Sequence, residues 1–210
     1  IFAGGYVVDD DVYGPTNAGV AYDASLTKIS TPYLESGIGT INLSGASVGN
    51  YALFAGGDDY ESYPTGGLGE TARVHAYDSS LTETYPTALS IARSQMGSVT
   101  IGNYALFVGG DTNGTKQNRV DRYNQSLTRS TSSLSVARSN IKTAVIDNYA
   151  ILAGGLIAAS EATTAIDIYN TSLTRTTATL EGSYSFGSAA STGNYALFVG
   201  GLTAHVYTVK

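Results

Sequence analysis

The chain repeats one pattern of apolar and polar residues five times. Each copy is a short apolar run that ends in a pair of glycines, and the complete copies begin with Asn-Tyr-Ala. The first glycines of successive pairs are 52, 53, 45 and 46 residues apart. A period of this length predicts a chain built from repeated supersecondary units. The glycine pairs are Gly4 and Gly5, Gly56 and Gly57, Gly109 and Gly110, Gly154 and Gly155, and Gly200 and Gly201.

A tyrosine motif follows each glycine pair. In four copies, at Tyr22, Tyr77, Tyr123 and Tyr169, the tyrosine precedes Asp or Asn and, after one further residue, Ser-Leu-Thr. A degenerate fifth copy lies at 206–208. From each of the four tyrosines to the next glycine pair takes 31 to 34 residues, whereas the reverse distance varies from 13 to 20. Insertions are therefore confined to one segment of each repeat.

Four antiparallel β-strands fit each repeat. In the third repeat they are predicted at 97–101, 104–108, 119–123 and 129–133. The second strand is apolar at nearly every position, which indicates burial on both of its faces. Gly-Asn or Asp-Asn between the first two strands is typical of a tight hairpin, and the Asp or Asn after the tyrosine is expected to close an Asx turn. The glycine pair is expected to admit a close backbone or ring contact that a Cβ would block.

These residues resemble the kelch repeat, which has an apolar strand ending in Gly-Gly, a variable loop and a tyrosine near the end of the next strand. The period matches the kelch period of about 50 residues, and the resemblance covers essentially the whole chain. The chain departs from the pattern in having no tryptophan, which a kelch repeat usually carries after the tyrosine. The residues of both motifs resemble those of kelch-like repeats in Gram-positive bacterial surface proteins and bacteriophage proteins.

The resemblance implies an all-β fold, a kelch-like β-propeller of four-stranded antiparallel blades. We expect one propeller domain over 1–210, with four full repeat periods plus partial terminal blades, so that about five blades are visible. From Gly200 round the termini to Gly4 spans 14 residues, where a blade needs about 45. Either a composite blade closes the ring, or the chain belongs to a larger ring, which is the favoured interpretation. The blade units are approximately 1–34, 38–89, 95–135, 140–180 and 185–210.

The amino-acid composition limits the classes of molecule that the protein is expected to bind. The net charge is −6 and the pI is about 4.7, so nucleic acid and anionic membranes are poor partners. Cysteine is absent, which excludes disulfides, thiolate catalysis and Cys-ligated zinc. No apolar run approaches the roughly 18 residues of a membrane span, and we therefore expect no membrane insertion.

The variable segments, which share one face of the predicted propeller, are the expected ligand-binding surface. The segment at 58–71 is the most suggestive, because Tyr60 and Tyr63 stand beside Asp58 and Asp59. Tyrosine rings stack on sugars and carboxylates bind sugar hydroxyls, although a solvated acidic loop explains the same residues. The other variable segments are 6–19, 111–118, 156–163 and 202–204.

Two arginines are further candidates on this face. Arg93 and Arg138 each lie ten residues before the Asn of a following repeat. They are candidates for contact with an anionic ligand, or for bridging adjacent blades through carbonyl or carboxylate groups.

The sequence favours no cofactor and no metal. The aspartates at 9–11, together with Asp58 and Asp59, offer hard oxygen ligands for calcium, but no calcium-loop motif is present. His75 and His205 are the only histidines, and two histidines alone do not make a catalytic metal site. With no nucleophile elbow or phosphate-binding loop in the chain, we predict that the protein is not an enzyme.

The favoured hypothesis is a non-enzymatic binding module on a bacterial surface or virion, hence extracellular, that recognises carbohydrate or protein through the variable face. The alternative is a structural spacer or decoration domain of a phage or surface assembly. A propeller glycan hydrolase or lyase is the third hypothesis.

Overall fold

The computed structural model describes residues 1–4, 6–9, 12–30, 33–34, 39–59, 69–185 and 187–201. Every element of regular secondary structure in these residues is a β-strand. In chain order they are β1 (Phe2–Ala3), β2 (Tyr6–Asp9), β3 (Val12–Pro15), β4 (Gly19–Tyr22), β5 (Lys28–Ser30), β6 (Thr40–Ile41), β7 (Ser44–Val48), β8 (Tyr51–Ala55), β9 (Asp58–Asp59), β10 (Gly69–Glu70), β11 (Val74–Tyr77), β12 (Glu83–Thr84), β13 (Gly97–Ile101), β14 (Tyr104–Val108), β15 (Asp111–Thr112), β16 (Thr115–Lys116), β17 (Arg119–Asn124), β18 (Arg129–Ser133), β19 (Lys142–Ile146), β20 (Tyr149–Ala153), β21 (Thr163–Asn170), β22 (Arg175–Tyr184), β23 (Ser188–Thr192) and β24 (Tyr195–Val199).

Each repeat forms one antiparallel sheet whose strands lie side by side in chain order. Sheet 2 is β7-β8-β11-β12, sheet 3 is β13-β14-β17-β18 and sheet 4 is β19-β20-β21-β22. Sheet 1 contains β1-β4-β5 and sheet 5 contains β23-β24. The all-β prediction is confirmed. In the third repeat the predicted strands 97–101, 104–108 and 129–133 have the observed bounds, and β17 extends one residue further, to Asn124.

The variable segments are themselves partly strands. They contribute the β2-β3 and β15-β16 hairpins and a small sheet in which β9 pairs with both β6 and β10. These additions lie at the edge of the repeat sheets where second strands end and first strands begin, which we call the variable face. These strands are only two to four residues long, which is too short for a pattern of alternating apolar residues to predict them.

The tyrosine motif ends in a tight turn that is closed by its Asp or Asn. In sheet 3, Asn124 Oδ1 accepts hydrogen bonds from the amides of Ser126 (3.0 Å) and Thr128 (2.9 Å). The predicted Asx turn is therefore confirmed. Leu127 in this turn has φ of 59°, an uncommon left-handed conformation for a leucine. Its side chain packs against the cluster between sheets 2 and 3, which stabilises this conformation.

Apolar clusters join consecutive sheets face to face. Between sheets 2 and 3, Leu53 and Ala55 of β8 pack with Phe107 of β14 and Tyr123 of β17. The first strands of neighbouring sheets are also adjacent, and hydroxyl groups connect them. Thr100 Oγ1 donates to the carbonyl of Ser47 (2.6 Å), and Thr143 Oγ1 donates to the carbonyl of Ser98 (2.6 Å).

The repeated tyrosine fastens each sheet to the segment that precedes it. Tyr77, Tyr123 and Tyr169 are buried, and each hydroxyl donates to a carbonyl, of Tyr33, Thr87 and Ser133 respectively. Burial raises the pKa of all three phenols above the ordinary value. Tyr22, by contrast, is 51% exposed.

The glycine pair contacts the linker, which is the segment that connects one sheet to the next. The amide of Gly110 donates to the carbonyl of Arg138 (3.0 Å). A Cβ on Gly109 would lie 2.3 Å from that carbonyl oxygen, closer than any real Cβ contact. A Cβ on Gly4, Gly56 or Gly154 would likewise meet a backbone carbonyl oxygen of the linker. A Cβ on Gly200 would meet no described atom within 4 Å, although its neighbour Gly201 approaches the carbonyl of Ser185, and Gly5 lies outside the described residues. The expected close backbone approach is therefore confirmed.

We predict that Gly109→Ala destabilises the protein more than Gly114→Ala does. Both glycines have a left-handed backbone, with φ of 62° and 78°, but a Cβ on Gly114 meets no atom within 4 Å. The difference between the two variants isolates the contact with the linker, and we expect about 1–3 kcal/mol of unfolding free energy. Urea denaturation of both variants measures it. Equal losses would contradict the role given to the glycine pair.

Candidate functional site

A chain of hydrogen-bonded amide and carboxylate groups crosses the variable face. Asn42 Nδ2 donates to Asp58 Oδ2 (2.8 Å). The amide of Gln95 donates to the carbonyl of Asn42 (3.2 Å), and the amide of Asn140 donates to the carbonyl of Gln95 (2.9 Å). Asn140 Nδ2 also lies 3.2 Å from Gln95 Oε1. We call these four residues, Asn42, Asp58, Gln95 and Asn140, the amide arc.

Equivalent positions of three repeats build the arc. Asn42, Gln95 and Asn140 each lie eight residues before the Asn of the hairpin motif, at Asn50, Asn103 and Asn148. These three residues have a left-handed backbone, with φ of 55°, 54° and 55°. This conformation turns the linker into the first strand, and it leaves the carbonyls of Asn42 and Gln95 accepting from the next repeat. The equivalent residue of the last repeat, Phe186, lies outside the described residues.

The arc exposes polar groups to solvent. Asn42 is exposed, and Asp58, Gln95 and Asn140 are half-buried. Carboxamides both donate and accept hydrogen bonds, and a carboxylate accepts them. The arc therefore combines donors and acceptors in one row at the point where three first strands begin.

The two predicted aspartates have different environments. Asp58 belongs to the arc, whereas Asp59 is fully buried and forms an ion pair with Arg73 (3.0 Å between Nη1 and Oδ2). Their alternation follows from strand β9, in which neighbouring side chains point to opposite faces. Asp59 therefore stabilises the fold, and only Asp58 of the pair is available to a ligand. Tyr60 and Tyr63 lie outside the described residues, in the segment between β9 and β10, and remain predictions.

The interpretation of Arg93 and Arg138 as ligand-binding residues is corrected by their burial. Both side chains are fully buried, so a ligand in solvent does not reach them. Arg138 Nη1 pairs with Asp167 Oδ2 (2.8 Å), and its other nitrogens donate to the carbonyls of Gly154 and Leu152. Arg93 Nη2 pairs in the same way with Asp121 Oδ2 (2.8 Å) and donates to the carbonyl of Phe107.

These arginines bridge neighbouring sheets, which was the alternative interpretation. The backbone of Arg138 bonds to sheet 3, where its amide donates to Gln117 and its carbonyl accepts from Gly110. Its side chain enters sheet 4. The partner carboxylate also accepts from the amide and hydroxyl of Ser135 (2.9 and 3.0 Å). Burying these charges is offset by the ion pair and by the hydrogen bonds around it.

Sheet 2 has a different polar cluster at the same positions. His75 stands where sheets 3 and 4 have Asp121 and Asp167, and Glu83 stands where they have Arg129 and Arg175. The acidic and basic partners are thus exchanged, and His75 Nδ1 lies 2.8 Å from Glu83 Oε1. Thr40 replaces the linker arginine, and a cavity of about 10 Å³ remains between Thr40 and His75.

The Glu83 carboxylate is held by three neighbours. Desolvation raises the pKa of Glu83, but hydrogen bonds from Tyr85, His75 and Tyr77 outweigh it and hold the pKa below its ordinary value of 4.5. The Tyr85 hydroxyl donates to Glu83 Oε2 at 2.8 Å. The Tyr77 hydroxyl lies 2.8 Å from Glu83 Oε1, so its single proton is shared between this oxygen and the carbonyl of Tyr33. The cluster lies between strands of one sheet, and its groups bond to one another, so it stabilises the fold.

The described residues hold no group of three or more His, Cys, Asp or Glu side chains arranged to bind a metal. Asp10, Asp11 and His205, which the sequence offered as candidates, lie outside the described part of the chain. In the same described residues no helix is long and apolar enough to cross a membrane.

Comparison with known proteins gives a likeness of fold. No protein-family model and no curated protein match the chain. A solved structure described as "Structure of YjhT" superposes with a TM-score of 0.70 and 14% sequence identity. The match covers 96% of this chain and 74% of that chain. At this identity the likeness shows the fold alone, an all-β architecture of antiparallel sheets.

We predict that Arg138→Met lowers the free energy of unfolding by about 3–5 kcal/mol, because the buried Asp167 loses its closest and fully buried cation. Arg175→Met is the matched control, since Arg175 lies 3.5 Å from the same carboxylate but its side chain is 35% exposed, and we expect about 1 kcal/mol or less. Adding Asp167→Leu to Arg138→Met should recover much of the loss. Denaturant unfolding measures all three, and equal losses for the two arginines would contradict the bridging role.

We predict that Glu83→Gln removes part of the protein's stability at neutral pH and that this difference shrinks as the pH falls. Because the pKa of Glu83 is lower in the folded state, its contribution is fully present above the unfolded pKa and is lost as the pH drops through the folded pKa. Unfolding free energies between pH 3 and 7 measure the effect. Glu181→Gln, at an exposed position on β22, is the control. A pH-independent difference for Glu83→Gln would contradict the prediction.

Proposed function

We propose that the five repeat sheets are blades of a kelch-like β-propeller and that residues 1–210 form one domain. The adjacency of the first strands of sheets 2, 3, 4 and 5 supports this arrangement, because propeller blades meet through their innermost strands.

We further propose that the protein is a non-enzymatic module on a bacterial surface or virion that binds neutral carbohydrate at the variable face. The amide arc is the observation that carries this proposal. Sugar hydroxyls both donate and accept hydrogen bonds, and the carboxamides of Asn42, Gln95 and Asn140 match them in both capacities. Asp58 adds an acceptor at one end of the row.

The charges of the face favour a neutral ligand. The chain carries a net charge of −6, and two of its cations are engaged, with Arg73 paired to Asp59 and Lys116 paired to Asp111. The net negative charge therefore disfavours an anionic sugar. Tyr60 and Tyr63 follow directly after β9, beside the arc in the chain, and supply aromatic rings for stacking.

A second candidate function is a structural spacer or decoration domain in a phage or surface assembly. It is favoured by three large apolar side chains that sheet 5 exposes on one face of β24, namely Tyr195, Leu197 and Val199.

Screening the chain against neutral bacterial glycans tests the carbohydrate proposal. We expect saturable binding of a glycan. The affinity should fall at least about tenfold in Gln95→Ala and in Asp58→Ala, because each variant loses a hydrogen-bonding group of the arc. Tyr60→Ala and Tyr63→Ala are expected to weaken the same ligand. Asn148→Ala, an exposed amide at the opposite end of β20, is the control and should bind as the natural chain does. A folded sample that binds no glycan, or arc variants indistinguishable from the control, would overturn the proposal.

A further inference from the structure

Every repeat sheet has two unlike faces, and each interface joins one of each kind. The forward face of a sheet presents the first, third and fifth residues of its second strand, as Leu53 and Ala55 do in sheet 2. The rear face of the next sheet presents the intervening residue Phe107 and the motif tyrosine Tyr123. Sheets 3 and 4 repeat this contact, with Leu106 and Val108 packed with Leu152 and Tyr169.

Sheet 5 has its forward face open to solvent. Leu197 and Val199 are 47% and 61% exposed, whereas their equivalents Leu106 and Val108 in sheet 3 are 0% exposed. Tyr195 on the same face is 69% exposed. The alternate residues Ala196 and Phe198 are half-buried, as expected for a rear face directed at sheet 4. The forward face of sheet 5 is therefore an apolar interface half that no other described part of the chain covers.

Sheet 1 has its rear face open in the same structure. Tyr22 is 51% exposed, whereas the motif tyrosines Tyr77, Tyr123 and Tyr169 are 3% or less exposed. Leu26, in the turn that follows, is 82% exposed, although its equivalents in sheets 3 and 4 pack against the interface clusters. Both open halves are present in one chain, so sheet 1 of the chain does not cover its own sheet 5.

We propose that the forward face of sheet 5 docks on the rear face of sheet 1 of a second copy of this chain. The contact continues the established interface between consecutive sheets, with Leu197 and Val199 meeting Tyr22 as Leu53 and Ala55 meet Tyr123. A heterologous contact of this kind joins copies head to tail, and it ends in a ring or continues as a filament according to the rotation between copies. The inference rests on the second candidate function and is independent of carbohydrate binding.

Sedimentation velocity of the 210-residue chain over a roughly hundredfold concentration range tests whether it self-associates. We expect the average mass to rise with concentration. Leu197→Asp and Tyr22→Asp each place a charge at the centre of one half, and each variant alone should lose association at least about tenfold. Val136→Asp, at a 38% exposed apolar position in the linker after β18, is the control and should associate as the natural chain does.

Mixing the two end variants gives the sharper test. Leu197→Asp copies keep an intact sheet 1, and Tyr22→Asp copies keep an intact sheet 5, so an equimolar mixture should form one-to-one dimers that grow no further. Circular dichroism melts establish that both variants are folded. A natural chain that stays monomeric, a mixture that stays monomeric, or an end variant that dimerises by itself would overturn the proposal. Unchanged glycan binding by the end variants keeps its failure separate from that of the carbohydrate site.

Discussion

One junction, repeated along the chain, holds the sheets together. A linker residue before each first strand bonds through its backbone to the preceding sheet. Where this residue is arginine, its side chain enters the following sheet. Arg138 makes both connections, to Gly110 in sheet 3 and to Asp167 in sheet 4. The glycine pair admits this linker because a Cβ there would occupy the position of the linker carbonyl. The two sequence motifs are therefore parts of one contact.

The candidate site depends on the same junction. Gln95 and Asn140 follow the linker arginines by two residues, so the buried guanidinium groups fix where the amides of the arc begin. The arginines are buried and ion-paired, whereas the neutral amides two residues later are half-buried and reach solvent. This arrangement places a rigid base beneath a polar surface, which lowers the entropy lost when a ligand is bound.

The sequence predicts the framework better than the site. Strands β13 and β14 follow from an apolar pattern interrupted by Gly-Asn, and the Asx turn follows from Asn124. The left-handed Leu127 has no such signal, because tertiary packing and not local preference stabilises it. Arg93 and Arg138 carry no mark of burial in the sequence, since the aspartates that pair with them lie about 28 residues further on. The sequence does not predict the amide arc, because Asn42, Gln95 and Asn140 share a position in the repeat but not a residue type.

The exchanged charges of sheet 2 bear on how the chain finds its native order during folding. Near-identical repeats invite pairing between the wrong neighbours, a frequent failure of repeat proteins. A linker arginine that docked on sheet 2 would be buried beside His75 instead of an aspartate, and the nearby Glu83 carboxylate is already held by three neighbours. Thr40, docked on sheet 3 or 4, would leave Asp121 or Asp167 buried without its fully buried arginine partner. Because of the exchange at His75 and Glu83, sheet 2 is therefore a poor docking site for the linkers that precede sheets 3 and 4.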